Sequence, residues 1–145
     1  MLEKVLRGSI AGLLGGLVFG LWMADKGALP MIAGLVGGSS GVLGFGVHLL
    51  ISTVIGGTFG YYFDRLIEGP LSGILWGMVY GFLWWFLGPL TLMPIGLGMA
   101  PQWTASAVAA TIPSLLWHVV FGGVTAIAYL ALAGEGGRRL VSAKA

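Results

Sequence analysis

Cysteine is absent from this 145-residue chain, and charge is scarce. The first absence removes disulfides, thiolate nucleophiles and cysteine-based metal sites together. The second decides the solvent. Only 8% of the residues are charged, against roughly 25% in a soluble domain, so the chain cannot coat itself in water. A net charge of +2, from 7 Lys and Arg against 5 Asp and Glu, supplies no basic stripe to follow a phosphate backbone, which argues against nucleic acid as a partner. Also missing are a Ser-His-Asp set, paired carboxylates, a phosphate-binding glycine loop and zinc-ligand spacing. Nothing in the sequence argues for an enzyme.

What is present is hydrocarbon: 57% of the residues are hydrophobic and the mean hydropathy is +0.98. A bilayer core about 30 Å thick takes about 20 apolar residues of helix, and the few charges mark where such spans end. Glu3, Lys4 and Arg7 lead in; Asp25 and Lys26 interrupt, as do Asp64, Arg65 and Glu68; Glu135, Arg138, Arg139 and Lys144 close the chain. The expected fold is all-α, a four-helix transmembrane bundle with spans at about 6–24, 41–63, 70–88 and 108–133. Two apolar connectors remain, 27–40 and 89–107. Both carry helix-breaking signals: Leu29-Pro30 and Gly37-Gly38-Ser39-Ser40-Gly41 in one, Gly88-Pro89, Pro94 and Pro101 in the other. Such segments belong in the interface or dip back in as re-entrant stretches, where protein covers their open backbone groups. A transmembrane barrel needs strands of alternating polarity, and these runs are continuously apolar. The first run ends Leu21-Trp22-Met23-Ala24-Asp25-Lys26 with no small-x-small cleavage site, so it reads as a retained helix rather than a signal peptide.

Lys4, Arg7, Arg65, Arg138, Arg139 and Lys144 fall on one side of these spans, with Lys26 on the other. The positive-inside rule then puts both termini in the cytoplasm of a multi-pass inner (plasma) membrane protein.

The chain also repeats itself. A shift of 61 residues lays Gly8, Gly12, Gly16 and Gly20 on Gly69, Gly73, Gly77 and Gly81, and Phe19 on Tyr80. A shift of 70 lays His48 on His118 and Phe59 on Tyr129. Residues 1–66 and 67–135 read as two repeats of helix, connector, helix, followed by a basic tail over 136–145. An even number of spans per half makes the repeats parallel, related by an axis along the membrane normal. That axis would bring the first and third spans together near the centre. Glycine at every fourth position bares one helix face, and between lipid-embedded helices such faces permit close van der Waals contact. The two ladders serve packing within the chain or the seam of an oligomer.

His48 and His118 are the first residues to consider for chemistry, because ionisable groups inside a membrane are functional candidates. Imidazole ligates haem iron and other metals, so a symmetric pair could clamp a haem b or a metal ion. The plainer alternative is a hydrogen bond to a carbonyl that holds the bundle. A proton or substrate pathway is a third. Met23, Met31, Met93 and Met99 map toward the same outer end, and thioether with imidazole suits copper, with Met93 and Met99 as weak candidates beside the histidines. Methionine is equally the filler of irregular apolar gaps. Trp22, Trp84, Trp85, Trp103 and Trp117 read as an outer aromatic belt, with Tyr61 and Tyr62 as its inner counterpart. Asp64 and Arg65 read as an exposed pair or a headgroup contact.

The run Tyr80-Gly81-Phe82-Leu83-Trp84-Trp85-Phe86-Leu87-Gly88-Pro89-Leu90, closing with Met93-Pro94, resembles a segment of small, uncharacterised bacterial multi-spanning inner-membrane proteins, as do His118 and Gly122 at the start of the last span. The resemblance covers the second half and implies a prokaryotic inner-membrane setting, with no activity attached. The expectation is a non-catalytic structural or assembly subunit of a membrane complex or homo-oligomer. The alternatives are a haem- or metal-binding module using His48 and His118, and a small channel or transporter.

Overall fold

The computed structural model describes the backbone of residues 1–142 and the side chains of residues 1–134. The expected basic tail over 136–145 therefore lies outside the described side chains, and Lys144 outside the described residues. Helices α1 (Leu2–Asp25), α2 (Leu29–Gly34), α3 (Gly41–Phe63), α4 (Pro70–Leu87), α5 (Met93–Gly96), α6 (Ala105–Ala110) and α7 (Ile112–Ser142) follow in order, with no strand among the described residues. Four helical stretches are long and apolar enough to cross a membrane: Leu2–Asp25, Gly41–Leu66, Pro70–Gly96 and Ile112–Gly134. The protein is an all-α, multi-pass membrane bundle.

Local chemistry explains where these rods start and stop. The first begins at Leu2 rather than residue 6, because Glu3 and Arg7 can pair one turn apart at 2.5 Å and Glu3 sits at the positive end of the helix dipole. α3 opens where Ser40 Oγ accepts the Leu43 N–H at 3.1 Å. α4 opens with Pro70 in its first turn, where no N–H is needed, and Ser72 Oγ accepts from the Gly69 N–H.

Two further expected boundaries are corrected. Gly88-Pro89 does not end the third span. Pro89 cannot donate to the ladder and its ring crowds the carbonyl four residues back, so the helix widens to a π turn over Gly88–Leu92 and runs on through α5 to Gly96. The 18 residues of α4 alone would rise only about 27 Å, and the continuation supplies the rest of the bilayer. The last span starts at Ile112, not 108. Residues Ala105–Ala110 form a separate short helix capped by Thr104 Oγ1, and the chain turns at Thr111 ahead of Pro113.

Packing follows the glycines. α1 lies against α3 and α7, and α4 against α7. A Cβ on Gly8 would run into the Gly56 carbonyl, and one on Gly12 into the Ser52 carbonyl. On the other pair, Gly77 abuts the Gly122 carbonyl and Gly81 the His118 carbonyl. Because each stripe is used on its hairpin partner, α1 and α4 do not pack on each other through their glycine faces, and the expectation that they come together at the centre is overturned. α3 and α4 instead meet through aromatic rings, Phe59 and Phe63 lying 5.3 and 5.0 Å from Tyr80 between centroids. Phe59, Leu90, Thr125 and Tyr129 are fully buried.

The connectors fold back onto the bundle. Leu29, Ile32 and Ala33 of α2 are buried, and Gly44 of α3 leaves room for the Leu29 carbonyl. Leu35 packs over Gly96 and Leu97 over Gly34, so the two connectors touch each other. The Gln102 N–H donates to Leu90 O at 2.8 Å, closing the second connector over the π turn.

Candidate functional site

The two histidines meet at one aromatic ring. Phe19 of α1 packs edge-on against His48, 5.4 Å between centroids, and against His118 at 4.7 Å. Gly20, the next residue, is what lets α3 bring the His48 ring up to α1. His48 is buried and its Nε2–H donates to the Gly16 carbonyl at 3.0 Å. His118 turns the other nitrogen to a carbonyl: its Nδ1–H donates to Ser114 O at 2.8 Å, one turn back on its own helix. A carbonyl only accepts, so each of these nitrogens carries a proton. The neutral rings are therefore opposite tautomers, with a lone pair left on Nδ1 of His48 and on Nε2 of His118.

This geometry bears on ligation. A group clamped by both imidazoles would compete with Phe19 for the apolar space that they share. Among the described residues no three His, Cys, Asp or Glu side chains gather to hold a metal ion. Met23 is buried and Met93 packs against the core, whereas Met31 and Met99 are more than half exposed.

The glycines of the two ladders divide. Gly8, Gly12, Gly16 and Gly20 all face α3, and Gly73, Gly77 and Gly81 face α7, within one chain. Gly69 has no described atom within 4 Å of where a Cβ would stand, since it is the residue before α4 begins.

The aromatic residues also divide. Trp103 is exposed, stacks on Phe86 and donates to Thr91 Oγ1, as a belt residue would. Trp85 is 6% exposed and its Nε1–H donates to Thr111 O at 3.1 Å, fastening α4 to the start of α7. Trp22 and Trp117 stack at 5.4 Å between α1 and α7.

Two polar clusters escaped the sequence reading. Tyr80 OH donates to Ile55 O at 2.7 Å beside Thr58 Oγ1, joining α4 to α3 inside the bundle. At the end of α3, Asp64 does not pair with Arg65. It takes Lys4 Nζ at 2.5 Å and the Tyr129 hydroxyl at 2.6 Å, while the Arg7 guanidinium lies 5.6 Å over the Tyr129 ring. Three helices are thus held at one carboxylate. The only hint in the sequence was that Phe59 pairs with Tyr129 under the repeat, one phenyl and one phenol.

No known protein family matches the chain, and neither a curated protein nor a solved structure matches it.

Proposed function

We propose that this chain is a non-catalytic structural or assembly subunit of a membrane complex or homo-oligomer. The observation that carries the reading is how four of the polar groups within the bundle are spent. His48 is bonded to Gly16, Tyr80 to Ile55, Trp85 to Thr111 and Tyr129 to Asp64, each to a residue of another element. Donors committed to neighbouring helices hold a bundle; they are not poised to exchange protons with a substrate. The centre is filled by Phe59, Leu90 and Tyr129 with no exposure of note, which weighs against a wet path for a channel or transporter.

Partners would lie on the second hairpin. In the apolar windows of the third and fourth spans 28% is buried within the chain, against 39% in the first and second, so α4 and α7 leave the larger area to be covered. Lipid or a partner helix fits there.

A haem- or metal-binding module is the second reading. The lone pairs left on His118 Nε2 and His48 Nδ1 favour it, and the Phe19 ring against both imidazoles opposes it.

The finer topology belongs to the same proposal. Lys4 and Arg65 line one end of the bundle while Lys26 lies at the end of α1, so both termini face the cytoplasm of a bacterial inner membrane. The halves are parallel repeats. Gly16 sits on Ser52 as Gly77 sits on Gly122, and Gly37 and Gly98 share left-handed φ values of 75° and 77°. Leu35 and Gly96, equivalent under the 61-residue shift, touch, as residues at a twofold axis do.

The test is native mass spectrometry of the tagged chain drawn from native membranes in mild detergent, with an absorbance spectrum of the same sample. A fixed assembly of copies or of copies with a partner, without a Soret band, is expected. A lone monomer carrying a Soret band or bound metal would replace this reading with the second one.

A further inference from the structure

Lys4, Tyr61, Tyr62 and Arg65 line, with Met1, a cleft of about 390 Å³ where α1 and α3 end together. We infer that this cleft binds the phosphate of an anionic phospholipid headgroup. Four features point to it. Its charged lining is entirely cationic: Arg65 pairs with no carboxylate among the described residues, and Lys4 keeps 41% of its side chain exposed while holding Asp64 at the back. Guanidinium offers two parallel N–H donors to a phosphate, and ammonium a mobile point charge. Tyr61 and Tyr62 stand edge to face, 4.7 Å between centroids and 47% and 65% exposed, each with an apolar ring and a hydroxyl at one end. Such rings settle at headgroup depth.

Place also fits. Both apolar runs give out here: Asp64 and Arg65 follow Phe63 at the end of α3, and Lys4 stands in the first turn of α1. A cation at the very end of a span stands where lipid phosphates stand, and extends its apolar stem along the helix. Asp64 is held by Lys4 and the Tyr129 hydroxyl, and none of the described carboxylates is among the residues that line the cleft. The inference is independent of what the bundle assembles with, and holds whichever face of the membrane this end occupies.

Phosphate could arrive on a lipid or free in solution, and the experiment separates the two. The full chain in detergent is exposed to phosphatidylglycerol, phosphatidylcholine or inorganic phosphate, and native mass spectrometry counts bound molecules. Wild type is expected to retain phosphatidylglycerol about fivefold over phosphatidylcholine, as one well-placed basic residue at a lipid surface provides. Arg65→Gln should abolish that preference, Arg65→Lys should keep part of it, and Lys26→Gln at the other end should leave it intact. Saturation by inorganic phosphate alone, lost in Arg65→Gln, would keep the phosphate site but overturn its assignment to lipid. Equal retention of the two lipids, or a preference that survives Arg65→Gln, overturns the inference whole.

Discussion

The carbonyl oxygen of Gly16 accepts a hydrogen bond, 3.0 Å long, from Nε2 of His48. It is an unusual acceptor, since a helix-interior carbonyl already serves its own ladder and offers only its second lone pair. The glycine matters because its bare face lets the imidazole of the neighbouring helix reach the main chain. His48→Phe should fill the space yet lose the bond, costing about 1–2 kcal/mol. His118→Phe loses a bond within its own helix, and should cost less. Unfolding in mixed detergent–SDS micelles, followed by circular dichroism, ranks the two.

Asp64 joins Lys4 of α1 to Tyr129 of α7. A hydrogen bond to a carboxylate is worth more than a neutral one, about 1.5–3 kcal/mol. Tyr129→Phe and Asp64→Asn should each destabilise, and the double variant by less than their sum, with a coupling of about 1 kcal/mol. Additive losses would mean that the two side chains act separately.

Thr125 is fully buried in α7 against Gly15 of α1, and its Oγ1 has no hydrogen-bond partner among the described residues. Thr125→Val has nearly the same shape and removes an unpaired hydroxyl. Its stability should equal or exceed wild type, whereas Thr125→Leu should overpack the contact and cost about 1–3 kcal/mol. The same unfolding assay reads both.

How far the sequence could be read depended on the range of the interaction. The third element, 41–63, was plain because Ser40 caps it locally and Asp64 follows its last apolar residue. Gly88-Pro89 misled, because proline in a helix is a local breaker whose cost a π turn can absorb, and only neighbouring elements decide which happens. Thr111 misled in the opposite sense, ending a run that is apolar throughout. The histidines stood out by being the only two, but the Gly16 acceptor lies 32 residues from His48 and leaves no local mark. Asp64 drew Arg65 as its partner by adjacency, while Lys4 is nearer in space. Trp85 looked like a belt residue because tryptophan favours interfaces, yet its indole is turned inward to Thr111. That the α1 and α4 stripes face α3 and α7 rather than each other was hidden for a related reason: a glycine stripe says that a face is close to something, not to what.

The glycine ladders decide whether the bundle is closed within one chain, and Gly16→Leu and Gly77→Leu put that to the most direct test. A leucine at either site must displace Ser52 or the Gly122 main chain, so the unfolding midpoint of the detergent-solubilised monomer should fall by an amount corresponding to about 3 kcal/mol, the upper end for overpacking. Monomers that unfold as wild type does, with only the mass of the oligomer changed, would show that the stripes face another copy.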